Sequence, residues 1–138
     1  MISIALPWPP TILSPNWTGK LAKKLRAKKR YRRVCRDLTF AQLTVPMRTE
    51  LASYGDRNLH LGLRFFPPRR YHYDRDNLVA RMKHGIDGAC DAFGFDDRLF
   101  RTGNDEIFDT VKDGQVDLFV SLGPSSDFSP LPRPWSLN

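Results

Sequence analysis

The segment 59–65 alternates strictly between apolar and other residues, and this period of two constrains the fold more than any other feature of the chain. Side chains two apart in an extended chain point the same way, so one side of the segment carries Leu59, Leu61, Leu63 and Phe65. We therefore predict a half-buried β-strand here. Two other alternating segments, at 2–6 and 116–122, predict two more strands, and these strands require a sheet.

Two other segments carry apolar residues at steps of three or four, which is typical of amphipathic helices. The first predicts a helix over about 30–53, with Pro46 as a kink or as an earlier end. The second predicts a helix over about 77–92, whose apolar face consists of Leu78, Met82, Ile86, Ala89 and Phe93.

The segments 107–111 and 116–122 flank Asp113-Gly114, a dipeptide typical of two-residue hairpins, so we predict that these segments pair. The resulting order, β-α-β-α-β-β, predicts an α+β fold with helices packed on one face of a small mixed or antiparallel sheet. The length of 138 residues fits one domain, which we place at 1–122. We expect 123–138, which is rich in proline and serine, to be an extended tail that is ordered only where something holds it.

The charge of the chain favours an anionic partner, of which nucleic acid is the commonest, because 22 Lys+Arg against 15 Asp+Glu give a formal net charge of +7. Residues 20–37 alone hold ten Lys+Arg and one acid. We predict a basic arm over about 18–37 that contacts DNA phosphates, the alternative being a solvated surface. The predicted DNA-binding residues, which include side chains of a later loop, are Lys23, Lys24, Lys28, Lys29, Arg30, Arg32, Arg33, Arg69, Arg70, Tyr71 and Tyr73.

The two cysteines, Cys35 and Cys90, lie far apart without the spacing of a metal site, which predicts reduced, buried thiols of a cytosolic protein. No apolar run approaches the ~20 residues that span a bilayer. The N-terminal stretch also lacks the basic region of a signal peptide. We therefore expect a cytoplasmic protein with no membrane partner.

The stretch YHYDRDNLVARMK, residues 71–83, places two aspartates before an apolar-periodic run. One interpretation is a helix start that is capped by Asp76 or Asn77. The other is a pair of metal ligands, Asp74 and Asp76, which would face one side together with His72 if this part of the chain is extended. Two carboxylates on one side repel each other unless a proton or a cation lies between them, and Mg²⁺ prefers such hard oxygen ligands.

Two further features could complete such a site. Asp96 and Asp97 form a second acidic pair, which can meet the first only if the chain doubles back after the predicted helix. Lys83 follows Asp76 by nearly two helical turns, so it would lie on the same helical face and could reach a phosphate above the carboxylates. The alternative role for Lys83 is an exposed pair with Asp87.

With these residues in place, the chain resembles the RusA family of Holliday junction resolvases, which are found in phages and prophages. Three motifs carry the resemblance over residues 2–122, namely LPWPP (6–10), DRDN (74–77) and GFDD (94–97). The resemblance implies a homodimeric endonuclease that depends on Mg²⁺, with Mn²⁺ as a substitute, and that cuts four-way DNA junctions by paired nicks. Its metal ligands, carried over to this chain, would be Asp74, Asp76 and Asp97, with Asp96 as the other candidate.

The catalytic lysine implied by the resemblance does not align directly. The family has it four residues after the second aspartate, where this chain has Ala80, so Lys83 matches only if three residues are inserted after Leu78. Two other functions stay open at this point. They are a non-catalytic protein that binds branched DNA, and a nuclease without preference for junctions.

Overall fold

A computed structural model describes residues 1–55, 59–96, 98, 100–122 and 130–135. Within these ranges the chain forms, in order, β1 (Ile2–Pro7), α1 (Leu21–Gln42), α2 (Val45–Tyr54), β2 (Leu59–Phe66), α3 (Arg75–Arg81), α4 (Lys83–Phe93), β3 (Phe100–Arg101), β4 (Glu106–Ile107) and β5 (Gln115–Ser121). A short 3-10 helix, Thr11–Leu13, follows β1. The predicted α+β class is confirmed. None of the described helices is long and apolar enough to cross a membrane.

The sheet is mixed, with strand order β1-β5-β2 and with β3 and β4 both on the far side of β2. β5 runs antiparallel to β1 and β2, whereas β3 and β4 run parallel to β2. The predicted hairpin between 107–111 and 116–122 is therefore wrong, because both edges of β5 are already occupied and β4 pairs with β2. Asp113 and Gly114 still form a turn, and both have positive φ.

The core lies on the sheet face that the predicted alternation assigned to apolar residues. Side chains of β1, β2 and β5 pack there against residues of α1, α3 and α4, and the cluster includes Ile4, Leu61, Leu63, Leu118, Tyr31, Cys35, Leu78, Met82 and Ala89. The two cysteines are buried free thiols, as predicted. Burial raises the pKa of the Cys35 thiol to about 12.

The opposite face of β2 is buried as well, so the half-buried strand that we predicted is wrong in this respect. Arg64 is 5% exposed, and its guanidinium lies 4.6 Å from the ring centroid of Phe119 on β5. Gly62 is required beneath the same ring, since a Cβ atom there would overlap it. A period of two identifies which side chains share a face, but it cannot show that the second face is also covered.

The basic segment is helical from Leu21 onward, so the prediction of an arm that precedes a helix is wrong. Lysine, arginine, alanine and leucine are all strong helix formers, and this preference outweighs the repulsion between the cations. The predicted helix over 30–53 is in fact two helices. Thr44 caps the second, because its side chain accepts the N–H of Met47, and Pro46 lies in the first turn, where it needs no N–H partner.

The predicted helix over 77–92 is also divided. It begins earlier, at Arg75, and it is interrupted at Met82, which has φ −86° and ψ −5°. α4 packs closely against α1 at Gly88, where a Cβ atom would overlap the carbonyl oxygen of Arg32 on α1. This close contact holds α4, and through it the end of α3, against the basic helix.

The predicted tail lies partly outside the described residues, which exclude 123–129 and 136–138. The segment 130–135 is held by β5. The Leu131 N–H donates to Asp117 Oδ2 at 2.8 Å, and Gln115 Nε2 donates to the Leu131 carbonyl oxygen at 2.9 Å. Asp117 and Gln115 are 2% and 1% exposed, so this clamp is buried.

Candidate functional site

Asp74 stands at the point where the extended segment turns into α3. Its backbone is extended, with φ −81° and ψ 118°, and its Oδ1 accepts the N–H of Asn77 at 3.1 Å. Asp74 is thus the helix cap, and the prediction of Asp76 or Asn77 in this role is wrong. Because α3 begins at Arg75, Asp76 lies in the first helical turn, and the extended arrangement that would place it on one side with His72 and Asp74 does not occur.

Both aspartates of the DRDN motif are exposed, and neither forms an ion pair with a cation of the described residues. Within this part of the chain no three His, Cys, Asp or Glu side chains are grouped so as to hold a metal ion. The predicted third ligand, Asp97, lies outside the described residues. Asp96 is described, and its carboxylate accepts the Arg98 backbone N–H at 3.0 Å and pairs with the Arg98 guanidinium at 2.9 Å.

Lys83 is the first residue of α4, and its side chain is exposed. The interruption at Met82 removes the argument that placed it on the helical face of Asp76, because a uniform turn per residue does not continue across the break. Lys83 and Ala80, the two candidate positions for the family lysine, nevertheless line the same cavity of about 280 Å³.

A carboxylate that the sequence did not reveal, Asp105, lines this cavity as well. Its Oδ1 accepts the Leu63 N–H at 3.1 Å. In the gap between β3 and β4, the carboxylate thus takes the place of a backbone carbonyl oxygen from a neighbouring strand. Burial raises the pKa of Asp105, while the Leu63 hydrogen bond and the charge of Arg75 act in the opposite direction. No signal in the sequence marks this residue, since it lies between two strands of only two residues each.

The loop that follows LPWPP contacts the DRDN motif, far away in sequence, through Ser14. Asn77 Nδ2 donates to Ser14 Oγ at 3.0 Å, and Lys24 Nζ on α1 donates to the Ser14 carbonyl oxygen at 2.9 Å. Arg81, near the end of α3, donates to the Pro9 carbonyl oxygen. The loop after β1 therefore connects the basic helix to the helix that carries the two aspartates.

An aromatic group lies beside Asp74. The rings of Trp8 and Tyr73 meet edge to face at 5.6 Å, and those of Tyr71 and Tyr73 meet at 5.3 Å. The Arg69 guanidinium lies 6.0 Å from the Tyr71 ring centroid. A cavity of about 740 Å³ is lined by these four side chains and by Asp74. The predicted DNA-binding loop is thus built onto the start of α3, with Arg69, Arg70 and Tyr71 exposed and Tyr73 half-buried.

The basic helix presents most of its predicted DNA-binding cations to solvent. Lys24 and Lys28 are half-buried, whereas the exposed ones are Lys23, Lys29, Arg30, Arg32 and Arg33. Arg32 pairs with Asp91 of α4 at 2.8 Å, and this contact lowers the pKa of the Asp91 carboxyl. The other exposed cations named here form no ion pair with a described carboxylate, and such a surface suits an extended polyanion.

Comparisons with known proteins leave the family open. No family model matches the chain. The chain is similar to an uncharacterized protein of Xylella fastidiosa (strain Temecula1 / ATCC 700964), with 37% identity over 105 residues, which are 72% of this chain. The match covers 63% of that relative's length. It supports a shared domain and names no activity.

Proposed function

We propose that the chain is a metal-dependent endodeoxyribonuclease of the RusA family, with the RusA-like fold, which resolves four-way DNA junctions by paired nicks. The proposal rests on the exposure of Asp74 and Asp76 and on the absence of an ion pair between either of them and a described cation. In a chain with a net charge of +7, both carboxylates are exposed and neither is paired with a described cation. Such carboxylates, next to an aromatic and basic loop, are suited to binding a cation that bridges to DNA phosphate.

Both side chains supply the hard oxygen atoms that Mg²⁺ prefers. Asp74 uses Oδ1 to cap α3 and leaves Oδ2 for a metal, and Asp76 adds a second hard oxygen ligand within the first helical turn. Mg²⁺ is commonly held by one or two carboxylates and keeps several of its waters. Asp97 or Asp96 would complete the ligands. When bound, the metal would lower the pKa of a water molecule and neutralise charge on the phosphate.

The remaining roles belong to cationic side chains. Lys83 would stabilise negative charge on the scissile phosphate, and its place in the same cavity wall as Ala80 supports its substitution for the family lysine. The exposed cations of α1 would hold the DNA backbone. Two symmetric nicks in a junction of approximate two-fold symmetry call for two sites related by a dyad, hence a homodimer.

The test is cleavage of a labelled four-way junction and of a matched duplex, each with and without Mg²⁺. We expect paired nicks in the junction alone and only with Mg²⁺ or Mn²⁺. Asp76→Asn should abolish cutting while junction binding and thermal stability are retained. Asp37→Asn, which alters an exposed aspartate of α1 that pairs with its neighbour Arg36 and lies outside the proposed site, is the matched control and should cut normally.

Other outcomes would replace the proposal. Tight junction binding without cutting in either metal would identify a non-catalytic protein that binds branched DNA. Equal cutting of the duplex would identify a nuclease without preference for junctions. Full activity of Asp76→Asn would exclude Asp76 as a ligand, and analytical ultracentrifugation that finds only monomers on the junction would exclude the dimer.

A further inference from the structure

We propose that the cavity between Arg81 and Tyr71 is a pocket for one nucleotide of an unpaired DNA strand, with the base against the aromatic rings and the phosphodiester on Arg81. The proposal rests on the proposed function only in taking DNA as the ligand. It requires neither a metal ion nor cleavage.

Arg81 is a buried cation without a matching anion. It is 7% exposed, and it forms no ion pair with any described carboxylate. One nitrogen donates to the Pro9 carbonyl oxygen, and the guanidinium lies 5.8 Å from the Trp8 ring centroid. Its Nε is buried and has no hydrogen-bond partner among the described residues, and burial lowers the pKa of Arg81.

A buried charge without a counter-ion is costly to the fold, because no ion pair compensates for its loss of hydration. The presence of a cation at such a position therefore points to an anionic ligand, since the described residues supply no anion. The guanidinium is also the group best shaped for a phosphate, because it offers several N–H donors in one plane.

The cavity that Arg81 lines has the remaining features of a nucleotide pocket. Its volume of about 740 Å³ lies within the usual range for small-molecule sites, about 300–1,000 Å³. Tyr71 is 70% exposed at its rim, so its ring is accessible to a base. Hydrogen-bonding groups for base edges or sugar are supplied by Thr11, Ser14, Asn16 and Asn77.

The charges of the side chains that line the cavity favour one kind of nucleotide ligand over another. Asp74 lines the same cavity as Arg69 and Arg81, so a carboxylate faces whatever anion is bound there. A terminal phosphate carries close to two negative charges, whereas an internal phosphodiester carries one and meets less repulsion from Asp74. We therefore favour a nucleotide within a strand over a free mononucleotide, and this position would bring the strand next to the two proposed metal ligands.

The experiment measures binding in EDTA, where no cleavage can occur. A fluorescent oligothymidylate of about eight nucleotides and a duplex of equal length are titrated with the full chain, and anisotropy is recorded. We expect the single strand to bind at least about tenfold more tightly than the duplex. Arg81→Met and Tyr71→Ala should each remove about tenfold of the single-strand affinity, and dTMP should compete poorly at equal nucleotide concentration.

Matched controls come from a second arginine and aromatic ring that lie against each other elsewhere in the molecule. Arg48 lies 4.7 Å from the ring centroid of Phe40, which is 62% exposed, and neither lines the cavity. Arg48→Met and Phe40→Ala should leave the single-strand affinity within about twofold. A similar loss in these variants would attribute the effect to general charge and would overturn the pocket.

Stability separates binding from a structural role of Arg81. If Arg81 serves a ligand, Arg81→Met should melt at the same temperature as the wild type or higher, because the removal of a buried charge that no described carboxylate pairs offsets the loss of the hydrogen bond to the Pro9 carbonyl oxygen. Lower melting together with undiminished strand binding by Tyr71→Ala would identify Arg81 as a structural link to Pro9 and would overturn the proposal. Competition by dTMP equal to that of the strand would also overturn it.

These outcomes are separable from those of the proposed function. A chain that cuts junctions in Mg²⁺ but binds the strand equally well in all variants refutes the pocket alone. A chain that binds the strand through Arg81 and Tyr71 but never cuts refutes the nuclease alone.

Discussion

Two neighbouring regions of the molecule differ in how their polar and charged groups are paired. One is the contact between α1 and α4, and the other is the start of α3. At the first, Gly88 allows two helix backbones to meet, and Tyr31 is buried with its hydroxyl bonded to the Pro7 carbonyl oxygen at 2.7 Å. At the second, Asp74 and Asp76 are exposed and without ion pairs to described cations, beside a buried guanidinium that pairs with no described carboxylate.

The difference separates residues that stabilise the fold from those available to a ligand. Where α1 meets α4, the polar and apolar groups named above find their partners within the chain, so substitutions should change stability before anything else. At the start of α3, the named charges form no ion pair with a described residue, so substitutions that keep the helix cap should change binding or cleavage while stability stays nearly constant. Each prediction below tests that division.

The largest effect on stability should come from Gly88→Val. A side chain at this position would overlap the backbone of α1, which cannot move aside as a side chain can. We expect the free energy of unfolding, measured by urea denaturation, to fall by about 3 kcal/mol or more, or the protein not to fold. Ala92→Val on the same helix is the control and should cost much less, so equal losses would contradict close helix packing as the cause.

Two substitutions of Asp74 should separate its roles as cap and as metal ligand. Asn caps helices as well as Asp, so Asp74→Asn should retain stability but lose about 100-fold in junction cleavage. Asp74→Ala should lose cleavage and also about 1 kcal/mol of unfolding free energy. The measurements are single-turnover cleavage and chemical denaturation, and full cleavage by Asp74→Asn would exclude a metal-binding role.

Tyr31→Phe should lower stability by about 1 kcal/mol, because it removes the hydrogen bond of a buried hydroxyl to the Pro7 carbonyl oxygen. The ring still fills its place between α1 and α4. Thermal melting measures the loss, and junction affinity serves as the control that should not change. A fall in affinity larger than the fall in stability would place Tyr31 with the binding residues instead.

Asp105 should give the protein a distinct dependence on pH. Its pKa is raised in the fold, so the folded state binds the proton more strongly than the unfolded chain does. Its contribution to stability should therefore increase as the pH falls from 7 through the raised pKa, and level off below the ordinary carboxyl pKa of about 3.9. Asp105→Asn should remove this component in denaturation curves recorded across that range, and identical pH profiles would contradict it.

The smallest effect on stability is expected for Arg32→Ala, which breaks an exposed pair with Asp91. Such pairs contribute about 0–1 kcal/mol, so unfolding curves should nearly coincide. The salt dependence of DNA binding should nevertheless become shallower by about one unit of slope if Arg32 contacts a phosphate. An unchanged slope would remove Arg32 from the predicted DNA-binding residues.

Much of the sheet could be predicted, because β1, β2 and β5 are long enough to show a period of two. β3 and β4, with two residues each, leave no pattern, and they pair with β2 only because the chain brings them there. The hairpin prediction failed for a related reason: the turn at Asp113-Gly114 is local, whereas the partner of β5 depends on which strands already occupy its edges.

Within the candidate site, the sequence determined the chemistry that is available. It placed two aspartates at a helix start, ten basic residues within 20–37 that were predicted as an arm, and aromatic and basic residues in the loop between β2 and α3. These follow from residue type and spacing over short distances, where the geometry of one extended or helical segment is sufficient.

Only the tertiary structure decided which of these groups meet. It joined Ser14 to Asn77, placed Arg81 by the Trp8 ring without an ion pair to a described carboxylate, placed Asp105 and Lys83 in the lining of one cavity, and covered the second face of β2. Burial and contact between distant segments depend on how the whole chain packs, so the periodicity of a short segment does not predict them. The sequence shows that Arg81 is charged, but only the tertiary structure shows that no described carboxylate pairs with it.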